Sequence, residues 1–484
     1  MRSDVYFLNS ISVHDTAISD HFFIHCALNL KKSSPSNPTT VFRRWKLFDI
    51  DSFRSDVENS VLCSGTFHCD VSTPTFLFDM YNSTFQALVD NHAPCTQRSA
   101  HQRGSPPWFT SSLMSAIRKR RRLERKWRKT RSLSDREDFI NQRNIVVRMV
   151  SDAKNSYYET RINASQHSSR LLWHVLNELI GNQNNAATPS FDTPSLCADK
   201  FRNYFSAKID NVRLTLPPLC IRDEFPVHVD ARLSSFAPVN IVEVFDLLRS
   251  IIPKTTSSDP LPTWLVKALC DCMAPILCRL VNVSLSTGVL PRSEKIAVIT
   301  PILKKTGLDK EVLSNYRPIS GLTFLSKFIE RVVCNRIYEY VSFFSLLRPF
   351  QSAYRKHFST ETALTRFLSD LLVAFDSKKL SFVVLLDLSS AFDTVDHSIL
   401  CDRLYKRFGF RDVALSWIQS FLNDRTCRIS VKSSLSQIFN LSCGVPQGSV
   451  LEPQLFSMYV SPISDIVSSY KLEHLFYADD LGLC

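Results

Sequence analysis

The sequence has few glycines, no Cys-x-x-Cys pair and no long apolar run. Only 10 of its 484 residues are glycine, so long flexible linkers are not expected. The 14 cysteines include no Cys-x-x-Cys pair, and no histidine completes a zinc spacing around Cys270, Cys272 and Cys278. No apolar run reaches the roughly eighteen residues of a membrane span, and no signal-peptide pattern follows Met1. These absences favour a reduced intracellular protein without a membrane span.

Positive charge is the feature that the composition has in excess. The formal net charge is +12, which favours a polyanionic partner, nucleic acid first and an acidic membrane second. The length predicts two or three domains.

One stretch carries most of this charge. Residues 115–136 hold eleven Lys and Arg side chains against Glu124 and Asp135, a net charge of +9. Apolar residues at helical spacing predict a helix here and a second helix over residues 135–162. Because so many like charges repel one another, we favour a phosphate-binding surface over a merely solvated face. The predicted nucleic-acid-binding residues are Arg118, Lys119, Arg120, Arg121, Arg122, Arg125, Lys126, Arg128, Lys129 and Arg131.

The first thirty residues are apolar and strand-like. Asp20 and His21 stand between two predicted strands, and such a pair is either a base with its orienting acid or a polar turn. The Ser/Pro/Asn-rich residues 31–40 predict a boundary.

Three acids follow or separate apolar strands near the C-terminal end. Asp479 and Asp480 lie between residues 475–477 and 481–483, which is the pattern of a β-hairpin with acids at its tip. Asp387 ends the apolar run 382–388, which predicts a strand buried on both faces. Because a buried carboxylate is costly unless it is paired or holds a metal, these acids predict a site for divalent cations.

Two further stretches belong with the acids. Residues 295–305 predict a strand that ends in Lys304 and Lys305. Gly444 and Gly448 flank a loop at residues 443–450, where glycine lets the backbone approach a ligand closely. Gln447 of that loop offers an amide to a sugar or a base.

These sequence motifs, in this order, resemble those of the reverse transcriptases of non-LTR (LINE-type) retrotransposons, nearest to the jockey-like group. Residues 240–484 carry the resemblance strongly, and the basic region before them resembles the linker of such elements. Residues 19–21 resemble the final motif of the endonuclease/exonuclease/phosphatase family, which implies an inactive remnant of that fold. The matching motifs are residues 315–320 (NYRPIS), 351–356 (QSAYRK), 359–364 (STETAL), 386–397 (LDLSSAFDTVDH), 444–451 (GVPQGSVL) and 477–480 (YADD).

The resemblance implies a role for each matching residue. Asp387, Asp479 and Asp480 would bind two Mg²⁺ ions, with Mn²⁺ as a substitute. The dNTP would be held by Lys304, Lys305, Arg317, Phe392, Gln447 and Gly448, and Phe392 would exclude a 2′-hydroxyl or serve as a core aromatic. The resemblance implies an RNA template, a DNA primer or target, and dNTP as partners, no membrane partner, and a location in the nucleus or the cytoplasm. Asp393 and Asp396 are expected to cap the helix that begins near His397.

Several positions depart from the family pattern. Glu452 stands where a glycine is usual, Gln454 where a leucine is usual, and Leu481 where a threonine is usual. Glu452 adds a charge unfavourable to a polyanion, and Gln454 places an amide in a packed position. The match stops four residues after Asp480, so we expect a chain truncated at both ends and weak or inactive as a polymerase.

We therefore predict an α+β fold: incomplete reverse-transcriptase fingers and palm, preceded by a basic helical linker. The expected domains are a nuclease-like remnant at 1–30, the linker at 31–240, and fingers with a partial palm at 241–484. The predicted function is RNA-directed DNA polymerisation. The alternatives are a catalytically inactive nucleic-acid-binding remnant and an RNA-dependent RNA polymerase.

Overall fold

The structure of the chain is a computed structural model. It describes residues 8–14, 23–28, 39–64, 73–99, 106–165, 168–180, 189, 193–215, 230–305, 307–347, 351–388, 390–432 and 434–483. In chain order the helices are α1 Ile50–Glu58, α2 Pro74–His92, α3 Ser111–Thr130, α4 Leu133–Ala164, α5 Ser169–Leu179, α6 Pro194–Thr215, α7 Ile241–Ser250, α8 Thr263–Ala268, α9 Cys270–Thr287, α10 Phe324–Phe343, α11 Thr360–Asp376, α12 His397–Phe408, α13 Asp412–Leu422 and α14 Glu452–Ser469. The strands are β1 Leu8–His14, β2 Phe23–Leu28, β3 Thr39–Arg43, β4 Cys95–Ser99, β5 Ile296–Leu303, β6 Tyr316–Gly321, β7 Val384–Asp387, β8 Thr426–Val431, β9 Ser434–Leu435, β10 Phe439–Asn440, β11 His474–Tyr477 and β12 Asp480–Leu483.

The chain folds into two compact units. The first comprises residues 1–45 and 95–176, and the second comprises residues 46–94 and 177–484. These units group residues 46–94 with the C-terminal region, whereas the sequence led us to predict three consecutive segments. In the part of the chain that the structure describes, no helix combines the length and the apolar character needed to cross a bilayer.

The first unit contains two antiparallel strand pairs and a long helical hairpin. β1 pairs with β2, β3 pairs with β4, and α3 packs against α4. The Thr110 side chain accepts from the Leu113 N–H at 3.3 Å and so begins α3 where the sequence predicts a helix. Trp127 stacks on Phe139 with ring centroids 5.6 Å apart, which fixes the two helices side by side.

Helices dominate the second unit before the first of its strands. α9 buries one apolar face, including Leu277 and Leu280, and ends at Gly288, whose φ of +69° is the left-handed conformation that favours glycine. Leu269 interrupts the helical geometry between α8 and α9, so the apolar stretch from Trp264 onward forms two helices.

A five-stranded sheet forms the next layer of this unit. Its order is β10–β8–β5–β6, with β9 paired to β8, and β5 runs antiparallel to β6 but parallel to β8. Phe201 and Phe205 of α6 join its buried apolar cluster together with Ala297 and Cys427. The sheet thereby anchors the loop that follows β10.

A separate three-stranded antiparallel sheet carries the acids, in the order β11–β12–β7. The predicted hairpin is confirmed: β11 and β12 pair through Tyr477 and Asp480, and residues 478–479 form the turn. The prediction that β7 is buried on both faces is wrong, since Leu385 is 76% exposed and its neighbours Val384 and Leu386 are exposed too. β7 pairs only with β12 among the described residues, so an apolar run here marks an edge strand.

Candidate active site

The three predicted acids lie at one end of the β11–β12–β7 sheet. Asp480 is the register partner of Asp387, and Asp479 occupies the turn immediately before it. The Leu388 N–H donates to the Asp479 carbonyl at 3.2 Å, which ties the turn to the end of β7. The pairing of β7 with β12 therefore brings Asp387 to the acid turn, although Asp387 and Asp479 are 92 residues apart in sequence.

No lysine or arginine that the structure describes forms an ion pair with these acids. Asp387 and Asp480 are exposed and Asp479 is half-buried, and within the described ranges none of the three forms an ion pair. No three His, Cys, Asp or Glu side chains of the described residues converge closely enough to form a ready metal-binding group. The donor set nevertheless fits a hard divalent cation, because carboxylate oxygens are the ligands that Mg²⁺ prefers. Asp387, Asp479 and Asp480 would hold it.

The loop at residues 443–450 is clamped onto the segment that follows β7. The Gly444 N–H donates to the Val395 carbonyl at 2.8 Å, and the Val445 N–H donates to the Phe392 carbonyl at 3.0 Å. Gly444 has a φ of +82°, and a Cβ there would lie 2.7 Å from the Asp393 carbonyl oxygen. Glycine is therefore required both by its backbone angle and by the close approach of the neighbouring chain.

Gln447 points its amide at an acid of the same clamp. The Gln447 side-chain Nε2 donates to Asp393 Oδ1 at 2.9 Å. The backbone carbonyl of Gln447 accepts from the Ser320 N–H of β6 at 2.8 Å. Burial raises the pKa of the Asp393 carboxyl, although Lys208 Nζ lies 3.8 Å away. The amide that we predicted to face a nucleotide is thus engaged within the protein.

The helix that begins at His397 has one capping acid. Asp396 Oδ1 accepts from the N–H groups of Ser398 and Ile399, as predicted for a cap of α12. The same prediction for Asp393 is wrong, because its carboxylate binds Gln447 instead. A pairing across 54 residues outweighs the local cap at that position.

Two glutamates that the sequence did not assign to the site anchor this loop. Glu330 of α10 is fully buried and accepts from the Ser326 hydroxyl, the Ser449 hydroxyl and the Val450 N–H. Glu452 Oε2 accepts from the Gly448 N–H at 2.6 Å. Burial raises the pKa of Glu452 to about 7, and the charges of Asp393 and Glu330 add to the rise. The hydrogen bond from the Gly448 N–H lowers this pKa, but by less than burial raises it. The predicted misfit of Gln454 is confirmed, since its Oε1 is buried without a hydrogen-bond partner among the described residues.

Tyr354 links the loop to the acid turn. Its backbone has a φ of +61°, and the neighbouring Ser352 N–H donates to the Phe476 carbonyl of β11 at 2.9 Å. Burial raises the pKa of Tyr354, and the charges of Asp479 and Glu452 raise it further. The pKa of this phenol therefore depends on one charge of the acid turn and on one at the start of α14.

The other predicted nucleotide-binding residues lie on the β5–β6 hairpin and after β7. Lys304, Lys305 and Arg317 are exposed, with Arg317 opposite Ile302 in the antiparallel register. The Phe392 ring packs against Phe456 with centroids 4.5 Å apart, so the core-aromatic alternative is realised whether or not it also contacts a sugar.

In the first unit, α3 displays the predicted basic residues. Its packing side is formed by Leu113, Ile117, Leu123 and Trp127. Arg118, Arg122, Arg125 and Lys129, here called the basic stripe, follow the opposite side at helical spacing and are exposed. Lys126 pairs with Asp135 and Arg128 with Glu124, whereas the stripe residues have no ion pair among the residues with described positions. Arg120 is half-buried, and Asp20 and His21 lie outside the described residues.

Comparison with known proteins gives two family matches. Residues 302–484 match the model "Reverse transcriptase (RNA-dependent DNA polymerase)", and residues 109–167 match "Female sterile protein K10 C-terminal domain".

Two curated relatives come from Drosophila melanogaster. A probable RNA-directed DNA polymerase from transposon BS is 30% identical over 290 residues, covering 59% of this chain and 31% of the relative. The RNA-directed DNA polymerase from mobile element jockey is 26% identical over 395 residues, covering 78% of this chain and 43% of the relative. The chain thus spans less than half the length of these relatives. A structure of apo telomerase from Candida tropicalis, truncated from its C-terminal domain, aligns with 79% of this chain and 85% of the telomerase chain. The sequence identity is 12% and the TM-score is 0.30.

Proposed function

We propose that this chain, a relative of the RNA-directed DNA polymerases of non-LTR mobile elements, transfers nucleotides from dNTP to a primer 3′-hydroxyl on an RNA template. The observation that carries the proposal is the register of β7 and β12, which places Asp387 opposite Asp480 and next to the Asp479 turn. Three carboxylates without a cationic partner in the described part of the chain supply the negative charge that a two-cation site requires.

Each part of the site has a task in this reaction. Two divalent ions, Mg²⁺ or Mn²⁺, would lower the pKa of the primer hydroxyl and neutralise the triphosphate. Asp387, Asp479 and Asp480 hold them at the end of the sheet. The negative triphosphate would be bound by the positive side chains of Lys304, Lys305 and Arg317. Arginine suits this task because its guanidinium binds a phosphate with two hydrogen bonds.

The loop and the aromatic residue after β7 define the nucleotide's place. Gln447 holds the loop against Asp393, and the backbone N–H of Gly448, which a nucleotide oxygen would need, is bound to Glu452 in this structure. Phe392, five positions after Asp387, limits the space near the sugar, which would favour deoxyribonucleotides over ribonucleotides.

The test is primer extension on an RNA template with Asp479→Asn. We expect extension in Mg²⁺ to fall about 100-fold or more, because the substitution removes a charged cation ligand at nearly constant volume. Asp376→Asn, at the exposed end of α11, is the matched control and should extend like the wild type. Unchanged extension by Asp479→Asn would remove the site assignment, and efficient incorporation of ribonucleotides would favour RNA-dependent RNA synthesis instead.

A second candidate function is nucleic-acid binding by the first unit. The basic stripe of α3 is exposed and unpaired within the described residues, so it would bind phosphates without sequence preference. An inactive nucleic-acid-binding remnant would retain this binding while showing no polymerisation at all. The first unit also contains the β1–β2 pair, which we keep as the proposed remnant of a nuclease fold.

A further inference from the structure

Glu452 binds the backbone N–H of Gly448, a residue that the proposed function assigns to the nucleotide. It is the first residue of α14, and Leu451 before it makes no side-chain cap. Its carboxylate turns back to accept from the Gly448 N–H at 2.6 Å. Gly448 is exposed and has a φ of +102°, so this amide stands at the surface of the loop. The donor that a nucleotide oxygen would use is therefore already bound by the protein's own anion.

The surroundings of Glu452 make its charge unfavourable to a further anion. Asp393, after β7, and Glu330, of α10, act on it with the same sign of charge. Burial raises the pKa of the Tyr354 phenol, and the charge of Glu452 is among those that raise it further. Glu452 has no Lys or Arg ion-pair partner among the residues that the structure describes. A triphosphate approaching Gly448 thus meets a carboxylate without a compensating cation.

We propose that Glu452 weakens the binding of nucleoside triphosphates to this site, by holding the Gly448 amide and by repelling the polyphosphate. This inference rests on the proposed function and adds a residue that sets the site's nucleotide affinity. Since burial raises the pKa of Glu452 to about 7, its carboxyl is mostly protonated at pH 6 and mostly ionised at pH 8. The restraint is then weak at pH 6 and strong at pH 8.

The experiment compares Glu452→Gln, Glu452→Gly and wild type at both pH values. The dissociation constant of a fluorescently labelled dATP is measured in Mg²⁺, together with the dNTP KM and the kcat of primer extension. At pH 8 we expect both variants to bind the nucleotide about tenfold more tightly than the wild type, the factor expected for removing one like charge near a polyphosphate. At pH 6 the difference in nucleotide affinity should fall to about twofold or less.

Glu339→Gln is the matched control, because it makes the same chemical change on the exposed side of α10. It should bind like the wild type at both pH values. If primer extension is absent from every variant, nucleotide binding still decides the matter, so failure of the polymerase proposal is seen separately.

Two results would overturn the inference: equal affinity of the Glu452 variants and wild type at pH 8, or no measurable binding by any of them. The two substitutions differ in how they change the start of α14, so agreement between them separates the loss of charge from a local change of fold.

Discussion

At the scale of single residues, Glu330 holds the loop at residues 443–450 in place. Its fully buried carboxylate accepts from two hydroxyls and from the Val450 N–H. Glu330→Ala leaves these donors buried without an acceptor, so we expect the free energy of unfolding to fall by about 2–4 kcal/mol. Urea denaturation measures the change, and Glu339→Ala on the same helix should shift it by less than about 0.5 kcal/mol. Equal shifts for the two variants would show that Glu330 does not anchor the loop.

Glu452 also makes folding stability depend on pH. Burial raises its pKa to about 7 in the folded protein from the usual 4.5 of a glutamate, so the folded state binds the proton more tightly. The Glu452 carboxyl therefore contributes its full share to the free energy of unfolding below pH 4.5, the pKa in the unfolded chain. This contribution is lost as the pH rises through about 7, the pKa in the folded protein. Between pH 5 and pH 8 the wild type should therefore lose about 2–3 kcal/mol more than Glu452→Gln does. Denaturation curves at the two pH values measure it, and parallel losses in both proteins would contradict the prediction.

Residues whose role depends on near neighbours were predictable from sequence, and those that depend on distant partners were not. The Asp396 cap is local, since it binds amides two and three positions ahead. Asp393 has the same local context but pairs with Gln447, which only the folded chain brings close. Glu452 was recognised as an added charge, yet its contact with Gly448 depends on how α14 starts.

At the scale of elements, local patterns predicted the hairpin and the helices but not the exposure of β7. The acids of residues 479–480 mark a turn because apolar residues flank them on both sides. The run before Asp387 is equally apolar, but hydrophobicity alone does not distinguish a central strand from an edge strand. The neighbours of β7 in the sheet decide its exposure, and they come from a hairpin ninety residues later.

The basic stripe of α3 provides a prediction for this element. Its four side chains span about 16 Å along the helix axis, which lets them reach successive phosphates. Replacing Arg118, Arg122, Arg125 and Lys129 together by glutamine should weaken RNA binding and reduce the slope of log K against log salt by roughly 3. A titration of labelled RNA over a range of salt concentrations measures both.

The control for the stripe carries four equivalent changes elsewhere. Arg232, Lys378, Lys379 and Lys471 are exposed residues of the second unit, and replacing them by glutamine removes the same charge. This control should retain the wild-type slope. A similar loss in both variants would mean that net charge, rather than the stripe, determines the affinity.

At the scale of the whole molecule, the basic stripe and the acids belong to different compact units. RNA binding and nucleotide transfer should therefore separate. Asp479→Asn should keep the RNA affinity and salt dependence of the wild type within about twofold, even with EDTA present, because phosphate contacts to Lys and Arg need no divalent ion. Measuring RNA binding and extension on one preparation tests this, and joint loss of both activities would contradict it.

The division into units could not be derived from the sequence. The Ser/Pro/Asn run at residues 31–40 and the start of the strong resemblance at residue 240 suggested boundaries there. Residues 46–94 instead pack with the second unit, where Asn82 donates to Glu294 at 3.4 Å and Arg54 pairs with Asp271. Contacts across more than two hundred residues leave no local signal in composition or spacing.

The exposed strand β7 has a practical consequence for handling the protein. Its outer edge presents unpaired backbone groups next to exposed Val384, Leu385 and Leu386, in the part of the chain that the structure describes. Such an edge can pair with the same strand of another molecule and extend the sheet between chains. Purified samples would then precipitate as they are concentrated, and the face that carries Asp387 would be the first to become inaccessible. Dilute stocks and a solubilising fusion partner are the conditions under which the acids can be studied.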